Sequence, residues 1–262
     1  MRYIFMLIII GACSCQTKPV ALEEAEWVDL SHSFDSTTLY WPNNVKGFEH
    51  PVDFEGQSPA GFYYSSFALS TPEHGGTHLD APKHFAENRL SADEIPLSSL
   101  TGNAVVIDIT EKAMADRDYL LSVQDITDWE KKNGRIDDNT IILVKTGYSR
   151  FYPDRLKYFG TDKKGPEAIP ELHFPGIDPA TVTWLLQNRK IKAMGLDTPS
   201  LDRGQSKLFE AHQVLLAQNK PGFENLTNLD LLPAKGIYVV ALPMKIARGS
   251  GGPLRIIATV LK

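Results

Sequence analysis

Seven histidines serve the whole chain, and three of them fall within eleven residues, His74-Gly-Gly-Thr-His78-Leu-Asp80-Ala-Pro-Lys-His84. Imidazole and carboxylate without sulfur are natural donors for zinc, manganese or iron. The spacing says more than the count. His74, His78, Asp80 and His84 share one parity, so in extended chain they turn to the same side. His78 and Asp80 can then hold one ion together. A helix would point that pair apart, and Gly75, Gly76 and Pro82 oppose a helix in any case. His74 stands about 13 Å from His78 along an ideal strand. The paired glycines permit the bend or bulge that brings it back. Pro82 then redirects the chain so that His84 approaches the ion without having to bind it. A lone histidine is more often a hydrogen-bonded structural residue than a ligand. Four ligand-type residues with a common direction and a glycine hinge point to a metal site.

Two further candidates lie downstream. On a helix over 207–218, His212 falls within the arc of Leu208, Leu215 and Leu216, the apolar face. A buried histidine needs a partner, and spacing alone leaves it open whether that partner is a carbonyl or an ion. Glu224, between Phe223 and Leu226, reads by itself as a capping or surface acid. His78-x-Asp80 with a distant His212 also fits the two-histidine, one-carboxylate triad of non-haem Fe(II) oxygenases, but no arginine lies between His212 and Arg248 to grip a keto acid. A non-catalytic metal-binding lipoprotein is another reading, weakened by aromatic loops that imply an organic ligand. A serine hydrolase finds no Gly-x-Ser-x-Gly elbow.

The chain that must position these residues has 262 residues, 42% hydrophobic and 23% charged, which is average globular composition and ample for a core. Twenty-seven basic against thirty-two acidic side chains give a net charge of −5, so there is no basic field to hold a nucleic acid. Both cysteines, Cys13 and Cys15, lie at the start, which leaves the rest without disulfides or thiolate ligands. Residues 1–15 read as a secretory signal, with Met1-Arg2 ahead of an apolar run and Gly11-Ala12 ahead of Cys13. Ile10-Gly-Ala-Cys13 resembles the lipobox of bacterial lipoproteins, which makes Cys13 the lipidation candidate and 16–26 a polar tether. The expected location is the cell envelope, periplasm-facing or extracellular, anchored to a membrane and not spanning it. Residues 27–262 show no repeat or low-complexity tract and read as a single domain.

Strand patterns cover 27–30, 62–69, 104–109, 140–145, 192–196, 236–242 and 254–261. Helix patterns cover 123–132, with Ser122 as cap, 180–188, opened by Asp178-Pro179, and 207–218. Strands and helices alternate in the second half, which predicts a mixed α/β domain. Residues 43–61 and 147–176 read as long irregular loops rich in aromatics, prolines and glycines. Loops of that length are usually functional or disordered; with so many aromatics, these either wall an apolar pocket or pack as ordinary surface. Gly249-Ser250-Gly251-Gly252 reads as a tight turn between two strands.

The run from His74 to Phe85 resembles the His-x-Gly-Thr-His-x-Asp-x-Pro-x-His signature of the cyclase family of metal-dependent hydrolases, to which bacterial kynurenine formamidase and isatin hydrolase belong. Residues 174–177, 195–202, 211–212, 224–226 and 251–255 follow in family order. The resemblance implies the swivelling β/β/α fold of the kynurenine formamidase/cyclase type, usually oligomeric. By motif position it makes His74, His78 and Asp80 metal ligands and His84 the proton-transfer residue. His212 and Glu224 match the distal ligands of two-zinc formamidases, and Trp41 matches a tryptophan that lines the substrate pocket. It implies one or two divalent ions, Zn2+ first and Mn2+ as alternative. The substrate would be a small aromatic amide: an aryl formamide such as N-formylkynurenine or, as for isatin hydrolases, a cyclic amide. Asn43-Asn44, where formamidases tend to have Gly-Asp, and the export signal set this chain apart from cytoplasmic formamidases.

Overall fold

A computed structural model describes residues 25–260, so the leader, Cys13 and most of the tether lie outside the described residues. The strands are β1 (Trp27–Asp29), β2 (Val52–Gln57), β3 (Tyr63–Phe67), β4 (His78–Asp80), β5 (Thr101–Asp108), β6 (Leu120–Leu121), β7 (Ile141–Lys145), β8 (Gly176–Ile177), β9 (Ala193–Leu196), β10 (Gly222–Glu224), β11 (Ile237–Pro243) and β12 (Gly251–Val260). The helices are α1 (Leu97–Leu100), α2 (Thr110–Ala115), α3 (Val123–Asn133), α4 (Arg155–Phe159), α5 (Pro179–Arg189) and α6 (Glu210–Leu216). Among the described residues, no helix is long and apolar enough to cross a membrane.

Eight strands form one mixed sheet in the order β1-β12-β11-β5-β7-β9-β10-β4. β5, β7, β9 and β10 run parallel, and the rest pair antiparallel. The long strand β12 closes the sheet on itself. Its first three residues pair with β4 and the remainder with β11, giving a barrel-like frame in a mixed α/β fold. The parallel strands β5 and β7 are near-continuous runs of buried aliphatics, as strands covered on both faces must be. One face, with Leu79, Val106, Leu143, Phe223 and Ile256, fills the barrel. The other, with Ile107, Ile142 and Leu196, packs under α3, α5 and α6 through Ile126, Leu185 and Leu215.

Helix ends obey local chemistry. Ser122 and Asp125 form a reciprocal capping box at α3. Asp178 accepts from the Ala180 N–H, with Pro179 at the first helical position of α5. Four expectations need correction. The stretch 43–61 contains β2, which pairs with β3 in a two-stranded hairpin projecting as an arm. The helix expected over 207–218 begins only at Glu210, because Phe209 is left-handed at φ 52° and Leu208 is 64% exposed and off the apolar face. Gly251 and Gly252 belong to β12, paired with β4, and not to a tight turn. The stretch 147–176 is folded: Tyr148, Tyr158, Phe159, Leu172 and Phe174 form a third core that packs on Leu39 and Trp41.

Candidate metal centre

β4 is only three residues long and is held between β10 and β12. The register sets Glu224 opposite His78, and bare Gly222 and Gly251 on either side of Asp80. Strand alternation does the sorting. Leu79 and Phe223 point into the barrel core, and His78, Asp80 and Glu224 gather on the other side. Gly251 is a close-approach position, since a Cβ there would sit 2.6 Å from the His74 ring. Upstream, Gly75 and Gly76 take φ 148° and 53°, values that favour glycine, and make the bend that returns His74 to within 2.7 Å of Asp80. The four motif residues are not one extended run, however. Only His78–Asp80 is strand, and Pro82–His84 forms a 3-10 turn.

Imidazole lone pairs converge on carboxylate oxygens at the centre. His74 Nδ1 lies 2.7 Å and His78 Nε2 3.2 Å from Asp80 Oδ1. His212 Nε2 lies 3.1 Å from Asp80 Oδ2 and 2.9 Å from Glu224 Oε1. The opposite nitrogen of each ring is already engaged. His78 Nδ1 donates to the Gly76 carbonyl at 3.0 Å, and His212 Nδ1 donates to Asp202 at 2.6 Å. His74 Nε2 donates to Ser250 Oγ at 2.9 Å, whose own hydroxyl donates to Glu73. These outer bonds fix each ring so that its free lone pair faces a carboxylate. Only positive charge between them reconciles such a set. Two triads have donor atoms all within 4.8 Å of one another, His74/His78/Asp80 and Asp80/His212/Glu224, with Asp80 common to both. The donors fit a divalent cation in either triad.

The protonation equilibria report the same demand. Burial disfavours a charged His78, yet hydrogen bonding and the charges of Asp80 and Glu224 push it up to about 9. His212 is raised well above its usual value, its burial outweighed by Asp202, Asp80 and Glu224. Asp80 is held well below the carboxylate range, against its burial, by the three imidazoles. Burial and the Asp80 charge raise Glu224.

This cluster floors a cavity of about 250 Å³. His84 stands in its wall, stacked on His74 with ring centres 3.7 Å apart, and belongs to neither triad. Burial holds its imidazole down to about 3, so the ring is neutral. Trp41 lines the cavity together with Phe85, Phe159 and Phe209. Of the loop aromatics expected to wall a pocket, only Phe159 does so, because Phe54, Phe62 and Tyr63 lie exposed on the arm. The sequence carries no local signal for the ring-holding partners Asp202 and Ser250 or for the wall residues Phe85 and Phe209. Asp202 ends the 195–202 segment, and nothing in its spacing ties it to His212, ten residues on.

A closed mixed sheet with a seam of buried imidazoles and carboxylates under an aromatic cavity is the architecture of a metal-dependent enzyme. The sequence model of the Cyclase family matches residues 28–203, and the chain belongs to that family. It is 34% identical to an isatin hydrolase of Roseibium aggregatum over 72% of this chain and 73% of the relative. It is 24% identical to a kynurenine formamidase of Bacillus cereus over 89% of this chain and 97% of the relative. Among solved structures, an isatin hydrolase bound to the product analogue thioisatinate superposes with a TM-score of 0.82 at 30% identity, covering 92% of this chain and 94% of that one.

Proposed function

We propose that the protein hydrolyses the carbon–nitrogen bond of a small amide carried on an aromatic ring, an aryl formamide such as N-formylkynurenine. The convergence of ring nitrogens and carboxylates at the floor of an aromatic-walled cavity, with the His84 imidazole beside it, carries this reading. Membership of the family favours hydrolysis over oxygenase chemistry or metal capture. A second reading, opening of a cyclic amide, is favoured by the higher identity to isatin hydrolase, 34% against 24% for the formamidase.

His74, His78 and Asp80 would hold one divalent ion, Zn2+ or Mn2+, and His212 and Glu224 with Asp80 are the residues that would hold a second. Such an ion would supply the positive charge that polarises an amide carbonyl and lowers the pKa of water to about 7. His84 takes the proton from the attacking water and returns it to the departing nitrogen. Trp41 packs against the substrate's ring. The decisive experiment is a hydrolysis panel on metal-supplemented protein, with N-formylkynurenine, other aryl formamides and isatin, and metal counted on the same sample. Turnover of an aryl formamide with one or two ions per chain is the expected result. No turnover of any of them by fully loaded protein would sink the proposal.

The arm supports a second proposal, that the protein is a homo-oligomer. An isolated hairpin is marginal in water, and this one exposes Val52, Phe54, Phe62, Tyr63, Tyr64 and Phe67, with Phe62 and Tyr63 58% and 59% exposed. Covering what these aromatics still expose would bury about 400–600 Å² per copy at 150–250 Å² per whole aromatic. A self-complementary pair of arms then supplies about 800–1,200 Å², up to the lower end of the roughly 1,200–2,000 Å² of a stable interface. Sedimentation equilibrium should give a dimer or larger species that Tyr63→Lys with Phe67→Lys dissociates, and a native monomer would exclude it. For location, we propose the cell envelope through a lipid on Cys13. Radiolabelled palmitate should enter the native chain and not Cys13→Ala.

A further inference from the structure

Phe209 breaks two local rules at once. It holds φ 52° and ψ 47°, a left-handed conformation that an aromatic residue rarely adopts. It also occupies the N-cap of α6, where Ser, Thr, Asp or Asn would ordinarily satisfy the first amides, and it makes no such bond. Asp202 does that work from outside the helix, accepting from the N–H groups of Ala211 and His212 at 3.0 and 3.2 Å. The chain therefore keeps a strained, non-capping aromatic at this position and compensates for it elsewhere. Departures of this kind concentrate where a side chain is needed for function.

The ring's surroundings say what it is needed for. It is half-buried and lines the cavity. Its centre lies 5.8 Å from Trp41, 5.5 Å from Phe85 and 6.1 Å from the His212 imidazole. Those neighbours come from three separate segments, and Phe209 is the ring that all three touch. A right-handed residue at 209 would continue α6 backwards and carry the side chain off this junction. The left-handed turn is what aims the ring into the cavity, one helical turn from His212.

We propose that Phe209 is the residue that selects an aromatic group on the amide, with the substrate's ring packing into the angle between Phe209, Trp41 and Phe85. This deepens the aryl-amide reading above and rests on it for the identity of the reaction. It predicts that selectivity, and not the hydrolytic step, depends on the 209 side chain being a ring. Leucine keeps an apolar side chain and the same backbone strain but removes the aromatic contacts, and tyrosine keeps the ring.

The test is steady-state kinetics on the metal-loaded full chain, comparing N-formylaniline with N-methylformamide for native, Phe209→Leu and Phe209→Tyr proteins, with metal per chain measured for each. Phe209→Leu should lower the aryl-over-alkyl ratio of kcat/KM about tenfold, as loss of aromatic pair contacts implies. The change should fall on KM for the aryl substrate with metal content retained, and Phe209→Tyr should restore the ratio. An unchanged ratio overturns the proposal. So does an equal loss on both substrates or a loss of metal, either of which would make the ring a prop for α6. If the native protein hydrolyses neither amide, the aryl-amide reading fails by itself. Calorimetric binding of acetanilide against N-methylacetamide then decides the selectivity proposal, with the same two variants and the same expected ratio.

Discussion

At the β4–β10–β12 seam every donor is held from two sides. His78 and Glu224 face each other in strand register, and His212 is clamped between Asp202 and the two inner carboxylates. Leu79, between His78 and Asp80, and Phe223, next to Glu224, are locked in the barrel core. The wall above is built otherwise. Trp41, Phe85, Phe159 and Phe209 arrive from four segments, and Trp41 meets Phe209 and Phe174 ring to ring, at 5.8 and 6.3 Å. A seam fixed by backbone register tolerates little movement. A wall made of side-chain contacts can be altered one ring at a time. The reaction is thus tied to the part of the molecule least free to vary, and the choice of substrate to the part most free.

That contrast can be broken or sharpened in order of effect. Asp80→Ala removes the carboxylate common to both triads, and it should abolish both activity and metal binding by elemental analysis. His84→Ala should lower kcat by about 10²–10⁴ while the metal count stays at the native value; an unchanged kcat would take the proton-transfer role from it. Asp202→Ala, which frees the far nitrogen of His212, should weaken metal affinity or activity by roughly 10–100-fold, seen in a chelator competition. Trp41→Ala should raise KM for an aryl substrate about tenfold with metal retained. Loss of metal there would show that wall and seam are not separable. Ser250→Ala leaves His74 one hydrogen bond short and should cost only about two- to tenfold in metal affinity.

The comparison also separates what was legible from what was not. The His74–His84 motif and its glycine hinge could be read from spacing because all the residues share one short segment, where chain geometry limits the outcomes. Helices α3 and α5 were legible because their caps are local. The arm is half legible: β3 falls inside the aromatic strand pattern over 62–69, but β2 alternates only over Val52-Asp53-Phe54-Glu55, a run too short between Pro51 and Gly56 to stand out from loop. Glu224 gave no local sign of chemistry, since its meaning comes from standing opposite His78, 146 positions away in sequence, across a strand pair. Phe209 falls inside the helix pattern over 207–218, and nothing in the local sequence marks its left-handed turn.

What the amino-acid order determined by itself was a set of short-range facts. It has a bend at Gly75-Gly76, alternate residues turned to one side at His78 and Asp80, capped helices, and buried aliphatic strands. Each depends on dihedral preferences and side-chain chemistry within a few residues. What tertiary structure decided was the company these residues keep. β12 closes the sheet so that Asp80 lies between two bare glycines, α6 swings His212 onto it, and rings from distant segments meet over the result. Those meetings depend on the long-range register of a closed sheet, which no local stretch of chain encodes alone.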